Sequence, residues 1–452
     1  MKELKVLFTG AGRRIELIQA FRNAALRLNI NLTIFGADLD MTAPALTYCD
    51  YVRKVCRMKD DRYIPELISI CQKDKIDLLI PTIDTDLLLL SNHVALFGTT
   101  KVLISAPDKI AICRNKNYTS DFFKSCGCYA PAPVNDWRSY EDVFPCFIKP
   151  KDGSGSINAF KVESSKELEM YAEQIRDYIV QPFIEGREYT VDIFCDFDGN
   201  PIYITPRIRS QVRAGEVLKT QISMDEQIIE ECKRIIARFQ PVGPMTIQLI
   251  RQNTTNKDYF IEINPRFGGG APLSMKAGAR SAEALLSLMV HGKAVCTEAI
   301  SDGAVFCRFD QSVCVQKGIS HQPLEGVIFD PEDVSFGRYG QSLMSYMSDL
   351  RNKNVRIGMI VNGSRKDQCE KESFLAVEYL VDDIIFTDDL GGEQFRTPCD
   401  IAFRIMQRRW KISFEKIAYV GLHQKRNFQA SGQLGMQQIY ITDFLKESQI
   451  EF

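Results

Sequence analysis

DYFIEINPRFGGG, residues 258–270, is the stretch from which the rest of the chain is best read. Tyr259, Ile261 and Ile263 alternate with Phe260, Glu262 and Asn264, which predicts a strand with Glu262 and Asn264 on one face. Two hard oxygen ligands on one face can chelate Mg²⁺, a cation that prefers oxygen and keeps substrate phosphate in its shell. Arg266 follows where the strand opens into a glycine-rich turn, and a cation there can hold a transferring phosphoryl group. The plain alternative is an exposed edge strand running into a flexible turn.

Composition narrows the field. At 452 residues the chain calls for two to four domains. With 45% hydrophobic and 25% charged residues it reads as an ordinary globular protein. A net charge of −2 gives no general attraction to nucleic acid or to an anionic membrane. The opening MKELKVLFTGAG runs straight into a strand and lacks the apolar core of a signal peptide. No apolar run reaches the length of a membrane span; Asp84, Asp86 and His93 interrupt the one around Leu87–Leu90. Fourteen cysteines without a repeating spacing, and only 4 histidines, offer no zinc site and fit reduced thiols in a cytoplasmic protein.

Strand and helix alternate over the first hundred residues, which predicts a doubly wound parallel sheet. Gly10-Ala-Gly12 sits at the first strand-to-helix turn, but Ile15 stands where a dinucleotide fingerprint has its third glycine. A tight turn is the better reading. From 106 to 295 the pattern becomes α+β, with helices near 115–126, 165–176, 225–238 and 281–291. Residues 296–323 are poorly periodic and read as the end of this domain plus a linker. A second alternating α/β unit begins at EGVIFD (325–330).

Four further segments could meet the Glu262 strand. FIKPKDGSGS ends a strand at Lys149 and continues as a Gly/Ser loop, whose backbone N–H groups can close over phosphates. Lys151, Ser154, Gly155 and Ser156 form that candidate flap, and a simple hairpin turn is its bland equivalent. Lys116, at a predicted helix start, could reach the same phosphates. YIVQPFIEGREYTVD suits adenine: main-chain groups of Gln181 and Phe183 would meet the ring edge, Ile184 would cover it, and Glu188 would accept from ribose hydroxyls. Gln248, on the strand before the metal strand, is a candidate third metal ligand.

Lys116, FIKPKDGSGS, IVQPFIEGREYTVD, Gln248 and IEINPR occur in an order that resembles the ATP-grasp superfamily, nearest its carbamoyl-phosphate-synthase large-subunit-like branch, over residues 1–295. The resemblance implies a pre-ATP-grasp Rossmann-like domain (1–105) and an ATP-grasp domain with its linker (106–323). It also implies ATP between two lobes and Mg²⁺ at Glu262 and Asn264 with Gln248 assisting. ATP-grasp ligases phosphorylate a carboxylate, which an amine then attacks. Lys116 and Lys149 would hold the α- and β-phosphates and Arg266 the transferring group, so that Lys149 and Arg266 carry the catalysis.

The substrate side is less defined. Arg207, Arg209 and Arg213 alternate in PRIRSQVRAGE, which reads as a basic, mobile segment able to clamp a carboxylate or acyl phosphate. Gly269 and Gly270 would admit a substrate close to the backbone, with Ser274 just beyond. Asp84 and Asp86 could bind an amine or cap a helix.

Residues 324–452 resemble the haloacid-dehalogenase-like phosphatase fold, with Asp330 at the nucleophile position. Glu332, Val361, Thr397, Leu422 and Asn427 stand where that family places its other catalytic groups. Leu422 cannot ligate Mg²⁺, so the domain is expected to be inactive. The function expected is an ATP- and Mg²⁺-dependent carboxylate–amine ligase acting on small molecules. The alternatives are a carbonate or carbamate kinase and an ATP-binding assembly or sensor protein. A homodimer is the commonest assembly for such a chain.

Overall fold

The computed structural model describes residues 2–141, 143–153, 157–213, 215–295, 299–315, 324–329, 336–368, 378–421 and 426–440. The chain divides into two compact units, Met1–Val315 and Gln316–Phe452. Ser154, Gly155 and Ser156, with Asp330, Glu332 and Leu422, lie outside the described residues.

The first unit opens with a parallel sheet of β1 (Glu3–Thr9), β2 (Asn31–Asp38), β3 (Tyr51–Lys54), β4 (Leu78–Pro81) and β5 (Lys101–Val102), in the order β3-β2-β1-β4-β5. All four residues of β4 are buried, as a strand covered on both faces requires. The helix Ile15–Arg27 buries Leu17, Ile18, Phe21, Ala24 and Ala25, three and four residues apart, along one stripe. Gly10 and Gly12 have φ of +60° and +47°, so the glycine pair makes the tight turn that leads into this helix.

A three-stranded antiparallel sheet follows, β7-β6-β8, built from β6 (Cys146–Pro150), β7 (Phe160–Val162) and β8 (Tyr178–Pro182). The larger antiparallel sheet has the order β13-β12-β9-β10-β11-β14. Its strands are β9 (Gly186–Cys195), β10 (Pro201–Arg213), β11 (Glu216–Ile222), β12 (Pro244–Gln252), β13 (Asp258–Asn264) and β14 (Val305–Cys307). The helix Glu226–Phe239 starts where the Asp225 carboxylate accepts from the Ile228 N–H. Its buried face (Ile228, Cys232, Ile235, Ile236 and Phe239) packs in one cluster with Val191, Ile247, Phe260 and Ile263. Each such side chain contributes roughly 1.5–3 kcal/mol, so one face of the sheet is fixed by its core and the other is left for chemistry.

Two expectations change here. Arg207, Arg209 and Arg213, expected on a mobile segment, lie on β10: all three pair with β11 across a shift in register, and Arg207 also pairs with β9. Strict alternation along β13 also fails. Gln248 pairs with Glu262 but Leu249 pairs with Phe260, so Ile261 is a bulge with no partner of its own. That extra residue turns Phe260 into the core beside Ile263, while Glu262 and Asn264 keep the opposite face.

An aromatic chain ties the end of β13 to the first sheet. Phe8 and Phe21 meet edge-on at 5.1 Å, Phe21 meets Phe267 at 6.0 Å, and Phe267 stacks on Phe194 at 6.3 Å. Phe267, 2% exposed, thereby anchors the backbone next to Arg266.

The second unit is a parallel sheet in the order β17-β16-β15-β18-β19, of β15 (Gly326–Phe329), β16 (Arg356–Val361), β17 (Asp383–Phe386), β18 (Ile417–Gly421) and β19 (Gln437–Tyr440). Val361 ends β16, and next to it Asn362 and Thr397 exchange two hydrogen bonds of 2.8 and 2.9 Å. The described cysteines are all free thiols, most of them buried. No helix among the described residues is long and apolar enough to cross a membrane.

Candidate active site

Glu262 is the centre on which the site converges. Lys149 is half-buried at the end of β6, and burial brings its ammonium down to about 8; Glu262 opposes that shift and Lys116 adds to it. Lys116 opens the helix Lys116–Ser125 and is likewise lowered by burial, with Glu262 again pulling the other way. Two lysines held below their ordinary range beside one carboxylate suit a ligand that brings negative charge of its own.

The base of the Gly/Ser loop is tied to this pair. The Lys116 ammonium donates to the Gly153 carbonyl at 2.8 Å, its backbone N–H donates to the Lys151 carbonyl, and Arg114 pairs with Asp152 at 2.5 Å. Lys151 is therefore anchored through its main chain.

Glu262 and Asn264 share the face opposite the core, Asn264 being 7% exposed. Their carboxylate and amide oxygens form a hard donor set that fits Mg²⁺. Gln248 lies on β12 directly opposite Glu262. Its amide satisfies both neighbours when its nitrogen donates to Glu262 Oε2 (3.3 Å) and its oxygen accepts from Arg209 Nη1 (3.1 Å). In this arrangement Gln248 bridges an arginine to Glu262. Among the described residues no group of three or more His, Cys, Asp or Glu is placed to hold a metal, so a cation here would rest on amide oxygen and phosphate as well.

The main-chain groups that follow β8's residues divide between its two edges. Gln181 pairs with Phe147, and the Phe183 N–H donates to the Pro145 carbonyl, so their main-chain groups belong to the ladder with β6. Ladder parity leaves the Pro182 carbonyl on the other edge. Glu188 is half-buried beside Arg209 at 3.1 Å. Burial raises its pKa, and Arg209 offsets part of that rise.

The arginines separate into three roles. Arg207 is 2% exposed and pairs with Asp192 at 2.8 Å, and Ser274 donates to the same carboxylate at 2.7 Å. A Cβ on Gly270 would lie 2.6 Å from the Arg207 guanidinium carbon, and one on Gly269 would lie 2.7 Å from Glu216 Oε1. In this structure the glycine turn makes room for Arg207 and Glu216. Arg209 serves Glu188 and Gln248. Arg213 is exposed and pairs with Asp310, so it does not join the cluster.

Arg266 donates to Asp84 Oδ2 at 2.6 Å, across 182 residues of sequence. Neither aspartate caps a helix by its side chain: Asp84 faces Arg266, while Asp86 is buried, accepts from Tyr63 at 2.9 Å and is raised by burial to about 6. Arg14, Arg308 and Glu216 also gather at Arg266 and escaped the sequence reading. Only Arg14, beside the glycine turn, carried any local signal.

Residues 113–270 match the model of the ATP-grasp domain, and residues 6–104 match the PylC-like N-terminal domain. The chain carries an ATP-grasp domain. D-alanine–D-alanine ligase B of Clostridium perfringens is 25% identical over 155 residues, which span 28% of this chain and half of that ligase. N5-carboxyaminoimidazole synthetase from Staphylococcus aureus, solved with ADP, shares the fold at a TM-score of 0.55 and 13% identity, over 68% of this chain and 83% of that one. The biotin carboxylase domain of Hydrogenobacter thermophilus 2-oxoglutarate carboxylase, a dimer solved with MgADP, ADP and bicarbonate, does so at 0.54 and 16%, over 67% of this chain and 74% of that one. The sequence relative is thus a ligase, and the two solved structures that share the fold were solved with ADP or MgADP.

Proposed function

We propose that the chain is an ATP- and Mg²⁺-dependent carboxylate–amine ligase that works through an acyl phosphate. The observation that carries this reading is the convergence of Lys116, Lys149 and Glu262 on one face, with Arg266 two residues beyond Asn264. A pure nucleotide binder needs no arginine held at the far side of its metal face.

Lys116 and Lys149 would neutralise the phosphates, and Pro182 O with Ile184 N would meet the adenine edge beside Glu188. Glu262 and Asn264 would hold Mg²⁺, which when bound would draw charge off the phosphate oxygens. A carboxylate oxygen of the acid attacks the γ-phosphorus, the bond to the bridging oxygen breaks, and ADP leaves with the electron pair. The amine nitrogen then attacks the acyl carbon, phosphate departs with the C–O electrons, and the nitrogen gives up a proton. Arg266 would stabilise the phosphoryl group in transit. The protein's contribution is position and charge.

We read three domains, 1–105, 106–323 and 324–452. The third would be an inactive haloacid-dehalogenase-like scaffold or dimerisation unit; its parallel sheet is compatible with that fold. Mg²⁺-dependent ADP release across amino acids, hydroxy acids, bicarbonate and amines tests the central reading. Stimulation by one acid–amine pair establishes a ligase, stimulation by bicarbonate alone points to a carbonate kinase, and tight ATP binding without turnover refutes both. Glu262→Ala should abolish turnover while weak ATP binding survives.

A further inference from the structure

Three guanidinium groups from distant parts of the first unit meet beside the glycine turn. Arg14 comes from the turn after β1, Arg266 from the end of β13, and Arg308 from just beyond β14. Their mutual repulsion is part of what holds Arg14 below its ordinary value, after burial itself. Like charges at close quarters in a half-buried site are costly unless something compensates them.

The protein supplies part of that compensation, and in two different ways. Asp84 is fixed on Arg266 at 2.6 Å, its side chain 23% exposed. Glu216, on the β10–β11 hairpin, lies 3.2 Å from Arg308 Nη1 and 3.8 Å from Arg14 Nη1, and its side chain is 52% exposed. It rests over Gly269, whose carbonyl accepts from Arg308 Nη2. Glu16 divides itself between Lys276 at 2.6 Å and Arg308 at 3.4 Å. Donors remain unused: Arg266 Nε and Arg308 Nε are buried without a hydrogen-bond partner. Buried guanidinium N–H groups left open are expensive, and a ligand oxygen satisfies them at little cost.

Charge counting gives the ligand class. Glu216 is the half-exposed carboxylate and can swing to solvent. Glu16 and Lys276 cancel, so three arginines against Asp84 leave a charge of +2. One anionic group does not fill such a site, whereas two do.

We propose that Arg14 and Arg308 form a second anion subsite that selects acids bearing two carboxylates. One carboxylate is presented at Arg266 for phosphorylation, and the other replaces Glu216 between Arg14 and Arg308. Glu216 is then a placeholder that occupies the subsite until substrate arrives. This rests on the ligase reading for the fate of the first carboxylate, but the subsite itself is a matter of binding.

The experiment uses the full chain and a series of linear dicarboxylates from malonate to adipate, with aspartate and glutamate, each against the monocarboxylate of equal length. Binding is measured by calorimetry and turnover by ADP release with Mg²⁺ and an amine. One dicarboxylate should bind at least about tenfold more tightly than its monocarboxylate. Arg14→Gln and Arg308→Gln should each bring that ratio close to one, with the change falling on KM more than on kcat. Glu216→Gln should tighten dicarboxylate binding by about threefold or more, because the competing charge is gone; a residue that merely supported the hairpin would weaken it. Equal affinity for the two acid types overturns the subsite, as does weaker binding in Glu216→Gln. Preference in binding with no ADP release leaves the subsite standing and removes the ligase; turnover without preference does the reverse.

Discussion

Gly270→Ala should destabilise the first unit far more than Gly269→Ala, although the two residues are neighbours in one turn. Neither glycine has a positive φ, so a methyl group is excluded by space alone. At position 270 the new carbon would sit 2.6 Å from Arg207 Cζ, and ordinary contact requires it to retreat by nearly an ångström. Arg207 cannot yield cheaply, being 2% exposed and bound to the buried Asp192 at 2.8 Å. Overpacking costs about 1–3 kcal/mol, and prising a buried ion pair apart costs about 3–5 kcal/mol; a net loss of about 3 kcal/mol is expected. At position 269 the obstacle is the end of Glu216, half exposed and free to turn away, so the loss should stay below about 1 kcal/mol. The chain has two tryptophans, Trp137 in the first unit and Trp410 in the second. In a Trp410→Phe background, urea unfolding followed by fluorescence therefore reports the first unit alone. Adding Arg207→Ala should remove much of the Gly270→Ala penalty. Equal losses in the two glycine variants, or a Gly270→Ala protein as stable as its parent, would refute this account of the turn.

Other outcomes follow from the same geometry. Lys149 sits at about 8 in the folded chain, below its value when unfolded, so between about pH 8 and 10 the unfolded chain holds the extra proton. Stability should therefore rise with pH in that window, and Lys149→Met should flatten the slope in urea unfolding; ATP binding above pH 8 should take up a proton, detectable by calorimetry in buffers of different ionisation enthalpy. Arg251→Met should cost about 3–5 kcal/mol in unfolding experiments, because Asp258, 0% exposed, loses its cation along with Asp225. The full chain should not hydrolyse p-nitrophenyl phosphate with Mg²⁺, and measurable hydrolysis abolished by Asp330→Asn would show that the second unit is an active phosphatase.

Local signals made the frame legible. The helix at 281–291, the caps at Asp225 and Asn115 and the four-residue apolar run of β4 are decided by neighbours a few residues away. Glu262, Asn264, Lys149 and Lys116 stood out as candidates because their residue types and order are unusual together, and the structure brings charged groups of this set near one another. The misses are all non-local. Arg266 finds Asp84 across 182 residues, and nothing near Arg308 announces that it will return to Gly269. Arg207 reads as a substrate clamp from its neighbours, yet Asp192, on the adjacent strand, takes it into the core. Likewise, the choice between Gln181–Phe183 and Pro182–Ile184 depends on which side β6 pairs, which a single strand does not reveal.

The bulge at Ile261 has a consequence for how this strand tolerates change in length. Between Phe260 and Asn264, Ile261 is the residue without a partner in the ladder, so its deletion would join Phe260 directly to Glu262 and restore a regular strand with both faces intact. Losing any other residue of that run would remove a site group or a core group outright. In a scan of single-codon deletions, tolerance in this strand should be confined to one codon, with the Glu262–Asn264 face and the core face descending unchanged on either side of it.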